Sequence, residues 1–304
     1  MNRRGISIII PCFNAGRYLI EAVSSVHEQP FECLYECIVI DDGSTDPETL
    51  EALQEIEAAG DTKVVRMKTN KGAQYARNVG LRSAMYDYIL GIDADDCLNT
   101  DPTILKLGTY ADRAIQVLED RPDVAFTYSI TCMFGNFNGY TISAYPVTAT
   151  QILHKHHAAT SIIYRKEDAF QAGLYNESIL KWQDWSFAVS LLNARFKQNK
   201  GNEIHFFETP YYLYRIHDNP SRISSRNVSE RKFTKLTIEQ NIEIFKSTFP
   251  GLNVDEITDK VMGSKPDKLT DLLYVAANNI QTALEMAKQR GYRLTSDIEP
   301  TNIP

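Results

Sequence analysis

Nothing in the chain supports a disulfide framework. The five cysteines, Cys12, Cys33, Cys37, Cys97 and Cys132, are odd in number and scattered, whereas stapled secreted domains carry even, regularly spaced sets. Cys33-x-x-x-Cys37 has no second pair at ligand spacing, which argues against a structural zinc site. Long apolar runs are also missing. A membrane span needs roughly 18 consecutive apolar residues, and the run from Ile6 to Ile10 stops at Pro11, too short even for the core of a signal peptide. The expectation is a cytoplasmic chain without a transmembrane segment, at most peripheral at the inner membrane face. Basic charge is in deficit, with Lys+Arg 32 against Asp+Glu 39 and a net charge of −7. That argues against a nucleic-acid partner but leaves room for a local anion site. No G-x-G-x-x-G or Walker fingerprint is present, so neither a dinucleotide dehydrogenase nor a P-loop kinase fits. Internal repeats and low-complexity stretches are absent.

What remains is an ordinary globular composition in 304 residues, long enough for a sizeable core in one large domain or two small ones. The first hundred residues alternate strand and helix. Residues 6–10, 36–40, 63–67 and 86–92 read as strands, and 15–28, 46 onward and 72–84 as helices. Asp46-Pro47-Glu48 is a helix start in which an N-cap acid precedes proline. This alternation predicts an α/β fold with a parallel sheet, in which ligands bind beyond the carboxyl ends of the strands. Residues 102–120 read as one helix. Strands are expected at 124–128, 140–144, 161–164 and 203–207, with a helix over 183–196. From 227 the chain turns helical and polar, with one amphipathic helix marked by Ile238, Ile242 and Phe245. A second runs from Leu269 to Leu284.

Five segments could carry chemistry. Gly91-Ile92-Asp93-Ala94-Asp95-Asp96 puts three carboxylates after an apolar strand; Asp93 and Asp95 can point the same way and suit Mg²⁺ or Mn²⁺ carrying phosphate oxygens. Alone, the run is equally an acidic turn. Asp41-Asp42-Gly43-Ser44-Thr45 ends a strand in two acids, either a β-turn or an acceptor for the imide N–H of a pyrimidine. Asn70-Lys71-Gly72, followed by Arg77, offers close backbone approach and a helix start that favours anions. Trp182-Gln183-Asp184-Trp185 flanks an acid with aromatics, which raises a carboxylate pKa toward a base role or marks a capped helix start. Tyr214-Arg215-Ile216-His217 carries an imidazole able to bind a metal, with Ser221 and Arg222 beyond it. The cluster His154-Lys155-His156-His157 reads as a polar loop or an acceptor-side surface.

In their order and spacing, the blocks Ile8-Ile9-Ile10-Pro11-Cys12-Phe13-Asn14, Ile38 to Asp46, Asn70-Lys71-Gly72 with Ala76-Arg77-Asn78, and Asp93-Ala94-Asp95-Asp96 resemble the family 2 glycosyltransferases of GT-A fold. The resemblance covers about residues 5–222. It implies a Rossmann-like, nucleotide-binding mixed sheet flanked by helices, with a GT-A domain over 1–226 and a C-terminal helical extension over 227–304. The GT-A domain would comprise a nucleotide-sugar half (about 1–100) and an acceptor half (101–226). Pro11, Phe13 and Asn14 would line the nucleotide, Asp41 would read the base, and Lys71, Gly72 and Arg77 would support it. Asp93 and Ala94 would face the ribose, while Asp95, Asp93 and His217 would hold a divalent metal, Mn²⁺ or Mg²⁺. Asp184 would be the general base. The partners implied are a nucleotide-sugar donor, UDP-linked in the first instance, and a glycan, lipid-linked or protein-linked acceptor. A homo-oligomer through the C-terminal helices is a further expectation. The family commonly has Glu-Asp where this chain has Gln183-Asp184. The Gln-x-x-Arg-Trp motif of its membrane-embedded processive members is missing, which favours single-sugar transfer. The competing readings are a sugar-1-phosphate nucleotidyltransferase, whose glycine- and arginine-rich N-terminal loop is absent, and an inactive nucleotide-sugar-binding or assembly module.

Overall fold

The computed structural model describes residues 4–158, 161–217 and 228–292. Among these, the strands are β1 (Ile6–Cys12), β2 (Tyr35–Asp41), β3 (Lys63–Arg66), β4 (Tyr88–Gly91), β5 (Cys97–Leu98), β6 (Val124–Gly135), β7 (Gly139–Tyr140), β8 (Ile163–Arg165) and β9 (Glu203–Ile216). The helices are α1 (Tyr18–His27), α2 (Pro47–Ala59), α3 (Ala73–Ser83), α4 (Pro102–Leu105), α5 (Tyr110–Asp120), α6 (Ala149–Leu153), α7 (Lys166–Gln171) and α8 (Gln183–Lys197), then α9 (Glu230–Gln240), α10 (Ile242–Thr248), α11 (Val254–Gly263), α12 (Lys268–Asn278) and α13 (Ile280–Gln289).

The strands form one mixed sheet in the order β3-β2-β1-β4-β8-β6-β9-β5, with β7 paired to β6. β1 pairs in parallel with β2 and β4, and β2 with β3. β8 then runs antiparallel to both β4 and β6. Because β2 and β3 lie on one side of β1 and β4 on the other, the chain reverses direction at β1, and the crevice beyond β1 and β4 is where such sheets bind ligands.

Alternation along the strands feeds two cores. Ile6, Ile8, Ile10, Val39, Leu90 and Ile92 pack with α1, α2 and α5, whereas Ile9, Ile38, Ile40 and Ile89 pack toward α3 and α8. Gly80 lets α3 lie directly on the sheet, since a Cβ there would stand 2.3 Å from Ile9 Cγ2. The C-terminal helices have no core of their own. Ile238, Phe245, Ile257, Val261, Val275 and Met286 join the same cluster as Trp185, Phe187 and Leu192 of α8.

Several expected elements differ. The helix expected over 102–120 is two, because Gly108 takes φ +90° and Thr109 caps a fresh start by accepting from Asp112 N–H at 3.2 Å. The strand at 124–128 extends to Gly135, its polar Thr127, Ser129 and Thr131 all buried, while the expected strand at 140–144 contracts to Gly139–Tyr140. β9 continues from Phe207 through Pro210 to Ile216. A register shift against β6 moves the pairing from Ser129–Phe207 to Thr131–Tyr212, and this bulge accommodates the proline. The apolar stretches of the C-terminal region break at Asn241 and at Asn279. Of the face named for oligomerisation, Leu272 and Val275 are buried in the chain's own core, while Leu269, Leu273, Ile280 and Leu284 are exposed. The cluster at 154–157 is not a polar surface loop: Lys155 is 1% and His156 5% exposed. The boundary drawn at 226 lies outside the described residues. Among those described, no helix is long and apolar enough to cross a membrane.

α12 docks through a polar contact with a measurable signature. Tyr145 donates a 3.0 Å hydrogen bond to Asp271 Oδ1, and burial nevertheless pushes the Asp271 carboxyl up to about 6. A native pKa raised above the unfolded value means that Asp271 supports the fold fully below pH ~4 and loses that support as pH rises through ~6. Asp271→Asn is therefore expected to raise stability by about 1–3 kcal/mol at pH 7.5 and to leave it unchanged near pH 4. Urea titrations at the two pH values check this.

Candidate functional site

The first wall of the crevice is a set of loops tied to one another by polar side chains. Asn14, just past β1, takes φ +51°, and its side-chain oxygen accepts from Thr45 N–H at 2.8 Å and Asp46 N–H at 3.1 Å. Its own N–H donates to Ser44 Oγ at 3.0 Å. Asp41, buried at the end of β2, accepts from Ser44 N–H at 2.9 Å. Asp42 uses both oxygens on the next loop, accepting from Lys71 N–H and Gly72 N–H at 2.7 Å each. Burial pushes its carboxyl up, and those two bonds only partly reverse the shift. Gly43, at φ +73°, allows the loops to meet, since a Cβ would lie 2.8 Å from the backbone carbon of Thr69. Phe13 stands 47% exposed at the edge, and the Lys71 ammonium lies 4.4 Å from the ring of Tyr75.

The second wall is the carboxylate turn after β4, where the three acids have three different partners. Asp93 Oδ1 meets Arg77 Nη2 at 2.6 Å, and Asp95 Oδ2 meets His217 Nε2 at 2.8 Å. Asp96 is 1% exposed and accepts from Tyr212 OH at 2.9 Å and Arg215 N–H at 2.8 Å. Burial and the neighbouring Asp93 and Asp95 raise its pKa. Asp96 is thus a strut that binds the turn to β9. Ala94 packs into the core.

His217 is delivered by tertiary pairing: β5 runs antiparallel to β9, with Cys97 opposite Leu213. Arg215 completes the corner. It donates to Asp95 O at 2.8 Å and to Glu21 Oε2 at 2.6 Å, with its guanidinium 4.4 Å from the Tyr18 ring and 4.3 Å from the Phe134 ring. Arg215 and Tyr212 had no role in the sequence reading; the alternation within 212–217 is the signal that places them. Ser221 and Arg222 lie outside the described residues.

The third wall comes from α3 and α8. Gln74, Arg77 and Asn78, three and four residues apart, share a buried face of α3. Gln74 donates to Ile179 O, and Asn78 exchanges bonds with Tyr175 at 2.9 Å in both directions. These contacts fasten the segment leading into α8, whose first turn carries Asp184. Burial would lower the pKa of Arg77, but Asp93, Asp184 and Tyr175 more than reverse the effect. Burial raises that of Asp184, with the Arg77 charge opposing it and Asp93 adding to it. The guanidinium therefore pairs with a carboxylate of the β4 turn and feels the charge of one in α8. Arg77 Nη1, Gln183 Nε2 and Trp182 Nε1 are buried donors without a protein partner.

The residues fit a divalent cation at one corner. Among the described residues, no three His, Cys, Asp or Glu side chains converge, but Asp95 Oδ2 and His217 Nε2, 2.8 Å apart, match the ~3 Å edge of an octahedron with ~2.1 Å bonds. Mg²⁺-type ions are commonly held by one or two protein ligands together with substrate phosphates.

The mixed sheet, the crevice at β1 and β4 and the acidic turn define a GT-A fold. The sequence profile described as "Glycosyl transferase family 2" matches residues 7–163, over half the chain, and the protein belongs to that family. Poly(ribitol-phosphate) beta-N-acetylglucosaminyltransferase TarS of Staphylococcus aureus is 27% identical over 259 residues, 83% of this chain and 42% of its own length. Glycosyltransferase GlyG of Streptococcus pneumoniae is 30% identical over 209 residues, 66% of this chain and 59% of its own. This chain thus spans about two fifths of TarS. Among solved structures, S. aureus TarS 1–349 in complex with UDP-GlcNAc superposes with TM-score 0.64 at 20% identity, over 94% of this chain and 77% of that one. The mannosyltransferase PcManGT from Pyrobaculum calidifontis, in complex with GDP-Man and Mn²⁺, gives 0.52 at 16% identity, over 96% and 77%. The structural matches establish the shared fold.

The Asn14 clamp is testable by itself. Asn14→Ala removes two accepted hydrogen bonds and sets a Cβ-bearing residue without a local polar anchor at positive φ; the expected loss is about 2–3 kcal/mol. Asn14→Gly, which tolerates that φ, should lose only about half as much. Urea unfolding of the two variants separates clamp from backbone.

Proposed function

We propose that this protein is an inverting, metal-assisted glycosyltransferase that moves a sugar from a nucleotide-sugar donor, a UDP-sugar in the first instance, to an acceptor hydroxyl. The observation that carries the reading is the buried Arg77 guanidinium, paired with Asp93 at 2.6 Å and electrostatically coupled to the desolvated carboxylate of Asp184. The donor assignment draws on TarS, whose structure holds UDP-GlcNAc. Acceptors consistent with the family are the hydroxyls of a growing glycan or of a lipid- or protein-linked glycoconjugate, in polysaccharide or glycoconjugate biosynthesis.

In this reading the loops of Pro11, Phe13, Asn14 and Asp41 receive the base, with Lys71 and Gly72 on the adjoining loop. Asp93 and Arg77 flank the ribose and sugar. Asp95 and His217 would hold the cation, which would supply charge neutralisation to the departing diphosphate. Asp184 takes the acceptor proton as the hydroxyl oxygen bonds to the anomeric carbon and the bond from that carbon to the diphosphate oxygen breaks. Attack from the face opposite the leaving group inverts the anomeric centre. Burial makes Asp184 a stronger base than a solvated aspartate, and the Arg77 charge opposes part of that shift.

An inactive binding module would leave a desolvated carboxylate at Asp184 with no task, so its replacement separates the two readings. Asp184→Asn should reduce transfer by about 10²–10⁴-fold while UDP binding stays within twofold of wild type. Near-wild-type turnover in a UDP-sugar assay would return the site to a binding role. Calorimetry with UDP tests the cation. Affinity should fall at least tenfold when Mn²⁺ is replaced by EDTA, and Asp95→Ala should abolish that difference. Equal affinity with Mn²⁺ and with EDTA removes the metal from the mechanism.

A further inference from the structure

Two residues with side chains beyond Cβ sit in the left-handed region and face each other across the acceptor half: Trp182 at φ +62° and Lys155 at φ +63°. Such backbone persists only where the surroundings over-determine it, and it clusters where geometry serves function. Trp182 immediately precedes α8 and lies two residues before Asp184. Its ring has the Lys155 ammonium 5.0 Å from its centroid and that of Lys265, from the α11–α12 connection, at 4.5 Å. Lys155 also lies 4.9 Å from the Trp185 ring, on the other side of Asp184 in sequence. Both ammoniums converge on Glu230, the first residue of α9, at 3.1 and 3.2 Å. Lys155 is closed in further by Thr234 and by Met262 Sδ.

We propose that Glu230, Lys155 and Lys265 are positioning residues: through paired cation–π contacts they hold Trp182 in its left-handed conformation and so fix the first turn of α8, and with it the Asp184 carboxylate. This rests on the reading of Asp184 as the base and gives the C-terminal helices a part in catalysis.

The electrostatics agree with the geometry. Burial lowers Lys155 to about 8, with Glu230 opposing the shift and Lys265 and Lys181 adding to it. Burial raises Glu230, and Lys155 and Lys265 more than reverse this. The other titratable group against the ring is His157, 5.7 Å from Trp182, which burial takes down to about 4. The clamp is therefore cationic at neutral pH and loses the Lys155 charge as pH rises through ~8.

Trp182 and Trp185 are the only tryptophans in the chain, so intrinsic emission reports on this cluster. In the full-length protein, emission should show a transition near pH 8 that disappears in Lys155→Met and moves to lower pH in Glu230→Gln. The Asp184 carboxyl, followed by ¹³C NMR of labelled aspartates and assigned with Asp184→Asn, should titrate nearer the ordinary aspartate range in Glu230→Gln and in Lys265→Met. Lys265 is partly exposed, so its variant avoids the core. Flat emission between pH 7 and 9 in the wild type overturns the clamp. An emission change in both variants with unmoved Asp184 titration overturns the positioning role. Full turnover by Asp184→Asn would instead remove the base assignment while leaving the emission transition intact, so the two failures are distinct.

Discussion

The structure depends on a guanidinium that has been taken out of water. Arg77 is 8% exposed, and an isolated buried charge would cost several kcal/mol even after relaxation. It is tolerated because it pairs with Asp93 after β4 at 2.6 Å and is favoured further by the negative charge of Asp184 in α8. Gln74 and Asn78, on the same face of α3, bolt the 175–179 segment in place. One helix face therefore ties the acidic turn after β4 to the segment that leads into α8.

A second constraint acts from the far edge of the sheet. β9 runs for 14 residues, absorbs Pro210 in a bulge and pairs with the two residues of β5. Asp96 ties the acidic turn to that strand through Tyr212 and the Arg215 backbone. Three adjacent acids thereby acquire different duties: Asp93 balances Arg77, Asp95 faces His217, and Asp96 is spent on rigidity. The loops on the nucleotide side are held in the same manner, with Asn14 and Asp42 satisfying N–H groups of neighbouring loops that would otherwise be left without partners.

Much of this was legible in the residue string. The period-two runs of β1 and β2, the capped start of α2 and the glycine before α3 are local signals, readable because propensity and pattern agree with the final packing. The family blocks were legible for a related reason, since phosphate, base and metal chemistry demands particular residue types at the ends of particular strands. Where local and tertiary demands part, sequence reading failed. The strand expected over 203–207 runs on to Ile216, because a bulge carries β9 past Pro210. His154 to His157 looked polar and exposed, yet Lys155 is buried because aromatic faces and Glu230 replace its water. Asn241 and Asn279 broke helices that hydrophobic spacing alone would have continued.

The sequence by itself determined the α/β class, the family and the acids and bases from which a site could be built, because those rest on short-range periodicity and on side-chain identity. Only the tertiary structure decided which acid serves which purpose. Asp93, Asp95 and Asp96 are chemically identical and differ only in what the fold sets against them. Asp184 acquires its raised pKa from desolvation, and the charge that opposes the shift, Arg77, lies more than a hundred positions earlier. Burial and pairing are properties of packed elements rather than of a residue string, so they appear only when α3, α8, β4 and β9 meet.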